Sequence, residues 1–254
     1  MDDAVRTKPV TYSNREIKQV WWKKISIHKP GLDVVTGACL LMLLLHGFVS
    51  LSGGLESHEV LYNQWFGLSV DSLFRGKIWQ LVTYALLHGN WFHLITNILM
   101  VWLIGGRVLS IFNQKTVAMC LVLGTIIGGL FFVGFDYFTG QKALLVGSSG
   151  AVMALFILMA CLSPNAKMIP IPIRAKNMAL GILTASLVLC LCHPGFNLPG
   201  LSSFYGLFQQ AGLGSIFIVS HSCHFGGGIV GFWLSKKIMG KMVTLEDLAR
   251  TRIH

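Results

Sequence analysis

A few polar residues stand in stretches of this chain where an apolar sequence has little reason to keep them. Gly147-Ser148-Ser149-Gly150 opens one low-charge run, and Ser220-His221-Ser222-Cys223-His224 lies in another. His93 and Asn97 occupy a third, spaced i, i+4 and so on one helical face. A serine within reach of a histidine is a nucleophile with its general base. Two neutral donors, together with the free amides at a helix N-terminus such as that of Ser149, form a place for a developing oxyanion. These are the parts of an acyl-transfer site. No carboxylate partner for the histidine is evident: Glu56, Glu59 and Asp71 fall in the connection over 53–91, and Asp136 falls at the edge of the apolar run at 116–135.

The elements that must position these residues follow from composition. The chain has 254 residues, 54% of them apolar and only 12% charged, with a mean hydropathy of +0.66. Soluble domains carry about 25% charge. The deficit is concentrated between Val34 and Leu234, which excludes a disordered chain, a fibrous repeat and a disulfide scaffold and predicts an integral membrane protein. Six runs of spanning length are expected at about 34–52, 92–112, 116–135, 149–162, 177–193 and 214–235. Counted from the far ends of their runs, Ser149 and His224 both stand roughly 18–20 Å above the same boundary, at 1.5 Å per helical residue. Polar groups at shared depth in a bilayer are functional candidates.

Contact between the two runs depends on small residues. Gly227, Gly228 and Gly231 lie on the stripe below His224, and Gly147 and Gly150 remove bulk on the facing side. His88 and His221 are expected to orient loops or satisfy backbone carbonyls. The connection over 53–91 is rich in tryptophan and other aromatics, which settle at membrane interfaces, so it predicts an amphipathic cap or the lip of a site. The 163–176 link, with three prolines, is not helical throughout.

The net charge of +10 is a topology signal. Seven basic residues precede position 30, five follow Leu234, and Lys167, Arg174 and Lys176 share one link. Placing both termini in the cytoplasm leaves only Arg75, Lys77 and Lys142 for the opposite face, as the positive-inside bias requires. The basic ends suit anionic lipid, and no nucleic-acid partner is implied. Six cysteines, without metal-ligand spacing, read as small buried hydrophobes. No cleavable signal peptide is evident, so the first run is expected to remain as an anchor in the inner (cytoplasmic) membrane.

The motifs His93-Leu94-Ile95-Thr96-Asn97, Gly147-Ser148-Ser149-Gly150 and Cys223-His224-Phe225-Gly226-Gly227, continuing to Gly231, resemble in type and order those of the rhomboid intramembrane serine proteases in their six-span bacterial form. The resemblance covers about 34–235. It implies an all-α membrane protein, a six-transmembrane-helix rhomboid-like bundle with an amphipathic first loop. A basic cytoplasmic segment (1–33) would precede the domain (34–235), and a basic tail (236–254) would follow. It implies Ser149 as nucleophile, His224 as base, and His93, Asn97 and the Ser149 amide as oxyanion hole, with no metal and no cofactor. The substrates would be single-pass transmembrane proteins cut near their outer ends; the oligomeric state is open. Three positions depart from the family pattern. Cys223 replaces an alanine, Trp79-Gln80 replaces Trp-Arg, and Met153 stands where an aromatic residue often stacks on the histidine; its thioether is suited to the same contact. Two other functions compete: an inactive relative that binds transmembrane helices, and a haem or metal protein using His88, His93, His221 and His224.

Overall fold

The computed structural model describes residues 29–52, 61–167 and 172–239. The helices in chain order are α1 (Val34–Leu51), α2 (Val70–Phe74), α3 (Gln80–Thr83), α4 (Trp91–Ile111), α5 (Gln114–Thr139), α6 (Ser149–Leu162), α7 (Ala175–Leu191), α8 (Leu201–Gln210) and α9 (His221–Met239). Among the described residues no strand forms, and the sheet-like pairings are two isolated bridges, Leu68 with Leu145 and Lys167 with Arg174. By length and hydropathy α1, α4 and α5 can each cross a membrane, while α6 and α7 are apolar and shorter.

Sequence polarity marks the helix starts. Asp33 accepts from the amides of Val35 and Thr36, Asn90 from His93, and Asn113 from Thr116, at 2.8–3.0 Å, so each short polar side chain satisfies amides that have no partner within the helix. α6 is different. Ser148 precedes it without a capping bond from its side chain.

α6 is also apolar on every side, and a helix of that kind belongs in the centre. It is buried continuously from Gly150 to Leu158, with its largest contacts to α9 and α5. Val152, Leu155 and Leu158 pack with Val35 and Met42 of α1, Leu94 of α4, Val117 of α5 and Leu234 of α9. The outward faces remain apolar too, as at Leu40, Leu44, Ile95, Leu99, Phe232 and Trp233, which suits lipid rather than water.

The expected spans coincide with α1 and α4–α7 to within a few residues, and α6 has the expected bounds. α5 runs on to Thr139, so Asp136 lies within the helix, where it is buried. The sixth span needs correction: α9 begins at His221 rather than near residue 214. Gly214–Ile218 is a 3-10 turn and Val219 is extended, with φ −70° and ψ 130°. Apolarity alone does not separate a rim of loop from a span.

The first loop is amphipathic, as expected. Leu61–Phe66 forms a π-helical turn whose last carbonyls are satisfied by side chains further along the loop. Gln80 Nε2 and Lys77 Nζ donate to the Gln64 carbonyl at 3.2 and 2.5 Å, Trp79 Nε1 donates to that of Trp65 at 2.7 Å, and Thr83 Oγ1 donates to that of Phe66 at 2.8 Å. Trp79-Gln80 is thus a neutral pair of donors that closes the turn. Phe66, Phe74, Ile78 and Val82 remain exposed around it. Glu56 and Glu59, and most of the basic segments 1–33 and 236–254, lie outside the described residues.

Candidate active site

α6 and α9 touch backbone to backbone. A Cβ on Gly227 would stand 2.1 Å from the Gly150 carbonyl oxygen, and one on Gly231 would stand 2.3 Å from that of Ala154, so this approach requires glycine at both positions. Gly228 sits at the seam with α7, where a Cβ would crowd Leu183 and only touch Ile157 of α6. The glycine stripe below the histidine therefore serves two neighbours. Gly150 also meets Cys223, whose Sγ lies 2.9 Å from where a Gly150 Cβ would stand. Ser149 immediately precedes Gly150, and His224 sits between Cys223 and Gly227, so both candidates flank the same junction. No hydrogen bond joins them in this structure, and such bonds often tighten only when substrate binds.

The two serines before the junction differ. Ser148 is buried and its Oγ has no hydrogen-bond partner, whereas Ser149 is partly exposed at the first position of α6. Only Ser149 is open to a reactant.

His93 reaches the same place from α4. Gly147 adopts φ +109°, and a Cβ there would lie 2.7 Å from His93 Nε2, so the bare glycine turn receives the imidazole. His224 is within electrostatic range of both His93 and His221. Asn97, also buried, donates from Nδ2 to the His93 carbonyl at 2.9 Å, which leaves its second N–H for another acceptor. The expected bracing histidines are both in contact with the cluster. His221 Nε2–H donates to the Ile216 carbonyl at 2.8 Å, with its ring 6.2 Å from that of His224. His88 is fully buried and packs edge-on against His93 at 5.1 Å. Burial, with His93 beside it, pushes the His88 imidazole down to about 3, so it stays neutral at ordinary pH.

Met153 is buried one turn past Ser149 on α6. Asp136, the buried carboxylate among the described residues, accepts from the Ala143 amide at 3.4 Å rather than serving His224. Among the described residues no group of three or more His, Cys, Asp or Glu side chains is arranged to hold a metal ion.

Tyr84 is a positioning residue that sequence spacing did not reveal. It is fully buried, and its carbonyl accepts from the Gly147 amide at 2.9 Å. Its hydroxyl donates to the Thr125 carbonyl of α5 at 2.7 Å and lies 3.6 Å from Cys223 Sγ. One residue thereby links the turn before Ser149, the neighbouring helix α5 and the residue before His224. Tyr84→Phe removes the hydroxyl alone. It is expected to cost about 1 kcal/mol, read as a thermal midpoint lowered by about 2–4 °C; an unchanged midpoint would show that this link carries no stability.

The bundle and its walled polar cluster define a multi-pass all-α membrane protein. The Rhomboid domain family matches residues 75–241, and the chain belongs to the rhomboid family, which comprises intramembrane serine proteases and inactive homologues. Comparison with curated proteins finds no match. Helix α1 precedes the matched residues, yet it is packed into the same core, with Cys39 Sγ 3.8 Å from the Ile98 carbonyl of α4.

Proposed function

We propose that this protein is an active intramembrane serine endopeptidase that cuts single-pass transmembrane proteins near their outer ends. Ser149 Oγ attacks the scissile carbonyl while His224 takes its proton, and the same histidine returns that proton to the leaving amine. Water then hydrolyses the acyl-enzyme by the reverse use of the base. His93, the second N–H of Asn97 and the Ser149 amide hold the oxyanion; the Ser148 side chain makes no capping bond to the first turn of α6, and the Gly150 amide is directed at Cys223 instead. Met153 takes the place of the stacking aromatic behind His224.

The observation that supports this reading is the close approach of Gly150 to Cys223 and Gly227, the neighbours of Ser149 and His224 in sequence, together with the His93 ring against the Gly147 turn. The protease domain is taken as 34–235, in the inner membrane with both termini cytoplasmic. Co-reconstitution with a single-pass substrate in vesicles tests the reaction. Two product fragments whose masses add to the substrate plus one water, cut near the outer end of its span, support it. Substrate recovered bound but intact would instead make the chain a helix-binding inactive relative.

The oxyanion assignment has its own expected result. Asn97→Ala lowers kcat by roughly 10- to 1,000-fold with little change in KM, because the donor acts on the transition state. A change confined to KM would make Asn97 a substrate-positioning group.

A further inference from the structure

Residues 192–220, which return the chain from α7 to α9, contain no Asp, Glu, Lys or Arg; none occurs between Lys176 and Lys236. Polypeptide that meets water over such a length carries charge at about one residue in four. The centre of the return is α8, and it is two-faced. Tyr205 and Phe208 turn inward onto Phe217, with ring centroids 4.7 and 5.8 Å away, and Tyr205 also meets His193, whose ring packs on Phe135 of α5. Phe204 and Leu207 lie on the adjacent face, about 100° further round the helix, and are 49% and 57% exposed, with Leu213 exposed just beyond. Gln209 and Gln210 end the helix.

We propose that α8 is an interfacial helix whose Phe204 and Leu207 face is sunk in the lipid of the leaflet on the Ser149 side. Helices that lie in the membrane plane bury an apolar face about 5–10 Å into the boundary between headgroups and acyl chains. Lipid is the occupant because exposed apolar side chains flank the return at both ends, Leu187 and Val188 near the end of α7 and Val219 just before α9. The uncharged return offers a protein partner no salt bridge on either side.

The anchored helix has a direct line to the candidate site. Phe208 and Tyr205 hold Phe217. The adjacent Ile216 carbonyl accepts from His221, one turn before His224. The bilayer thus steadies the first turn of α9 through α8. That consequence rests on His224 being the base; the lipid contact itself does not.

The test uses the full chain in phosphatidylcholine vesicles containing a phosphatidylcholine with a diazirine in its acyl chain. After photolysis and peptide mapping, lipid adducts are expected on Phe204 and Leu207, as on Phe232 and Trp233 of α9, but not on Tyr205 or Phe208. Phe204→Asp with Leu207→Asp is expected to abolish the α8 adducts while those on α9 persist. Adducts on α9 with none on α8 in the wild type would overturn the proposal, as would crosslinking of α8 to a second copy of the chain. Fluorophosphonate labelling in the same vesicles separates the two claims. Lipid adducts on α8 without a reactive Ser149 remove the catalytic reading and leave the interfacial helix standing, and the converse removes the helix alone.

Discussion

Ser149→Ala and His224→Ala each reduce cleavage of a transmembrane substrate by a factor on the order of 10⁴–10⁶, toward the uncatalysed background, and the double variant is no worse than either alone. A nucleophile without its base and a base without its nucleophile fail at the same step, so the losses do not add. Both variants keep the wild-type thermal midpoint, because the bundle is held by α6, α9 and α5 through glycine contacts and buried apolar side chains rather than by these two groups. Ser148→Ala stays close to wild type in rate, since its buried Oγ makes no hydrogen bond to lose. Turnover retained by Ser149→Ala and lost by Ser148→Ala would move the nucleophile by one residue.

Gly227→Ala produces the second large effect, and it does so without touching a reacting group. The new methyl would stand 2.1 Å from the Gly150 carbonyl oxygen, and backbone cannot swing aside as a side chain can. α9 must move off α6 by about 1 Å, which misplaces His224 against Ser149. Displacements of that size cost about 100-fold in rate, and overpacking of this kind costs about 1–3 kcal/mol in stability. Two substitutions calibrate the result. Gly228→Ala meets the Leu183 side chain, which has rotamer freedom to yield, and is milder; Gly134→Ala in α5 meets nothing within 4 Å and is neutral or slightly stabilising. If Gly227→Ala is as active and stable as Gly134→Ala, close backbone contact is not what aligns the pair.

Particular residues show how far the sequence carries. The bounds of α6 were legible because Gly147 and Gly150 mark the opening of the apolar run and Ser163-Pro164 its close, with no charge between Lys142 and Lys167. The start of α9 was not, because Gly214–Ile218 is as apolar as a span and only its backbone distinguishes it. Spacing placed Gly227, Gly228 and Gly231 on one stripe, yet a stripe does not say which neighbour each residue meets, and Gly228 sits at the seam with α7. The four residues His93, Asn97, Ser149 and His224 were readable as polar atoms in apolar runs. Tyr84 was invisible for the opposite reason. A tyrosine in an aromatic-rich loop looks ordinary until its carbonyl is found on the Gly147 amide and its hydroxyl on Thr125. α8 falls in the same class, since its two faces separate only once Phe217 has claimed Tyr205 and Phe208.

A nucleophilic serine activated by a histidine within the membrane is most directly tested by its own reactivity. Purified protein in detergent, treated with a fluorophosphonate and mapped by mass spectrometry, should carry one phosphonyl group on Ser149. The adduct should be absent from Ser149→Ala and strongly reduced in His224→Ala, whose serine lacks its base. Folded wild-type protein that takes up no label, or takes it up on Ser148 with Ser149 unmodified, would contradict the assignment.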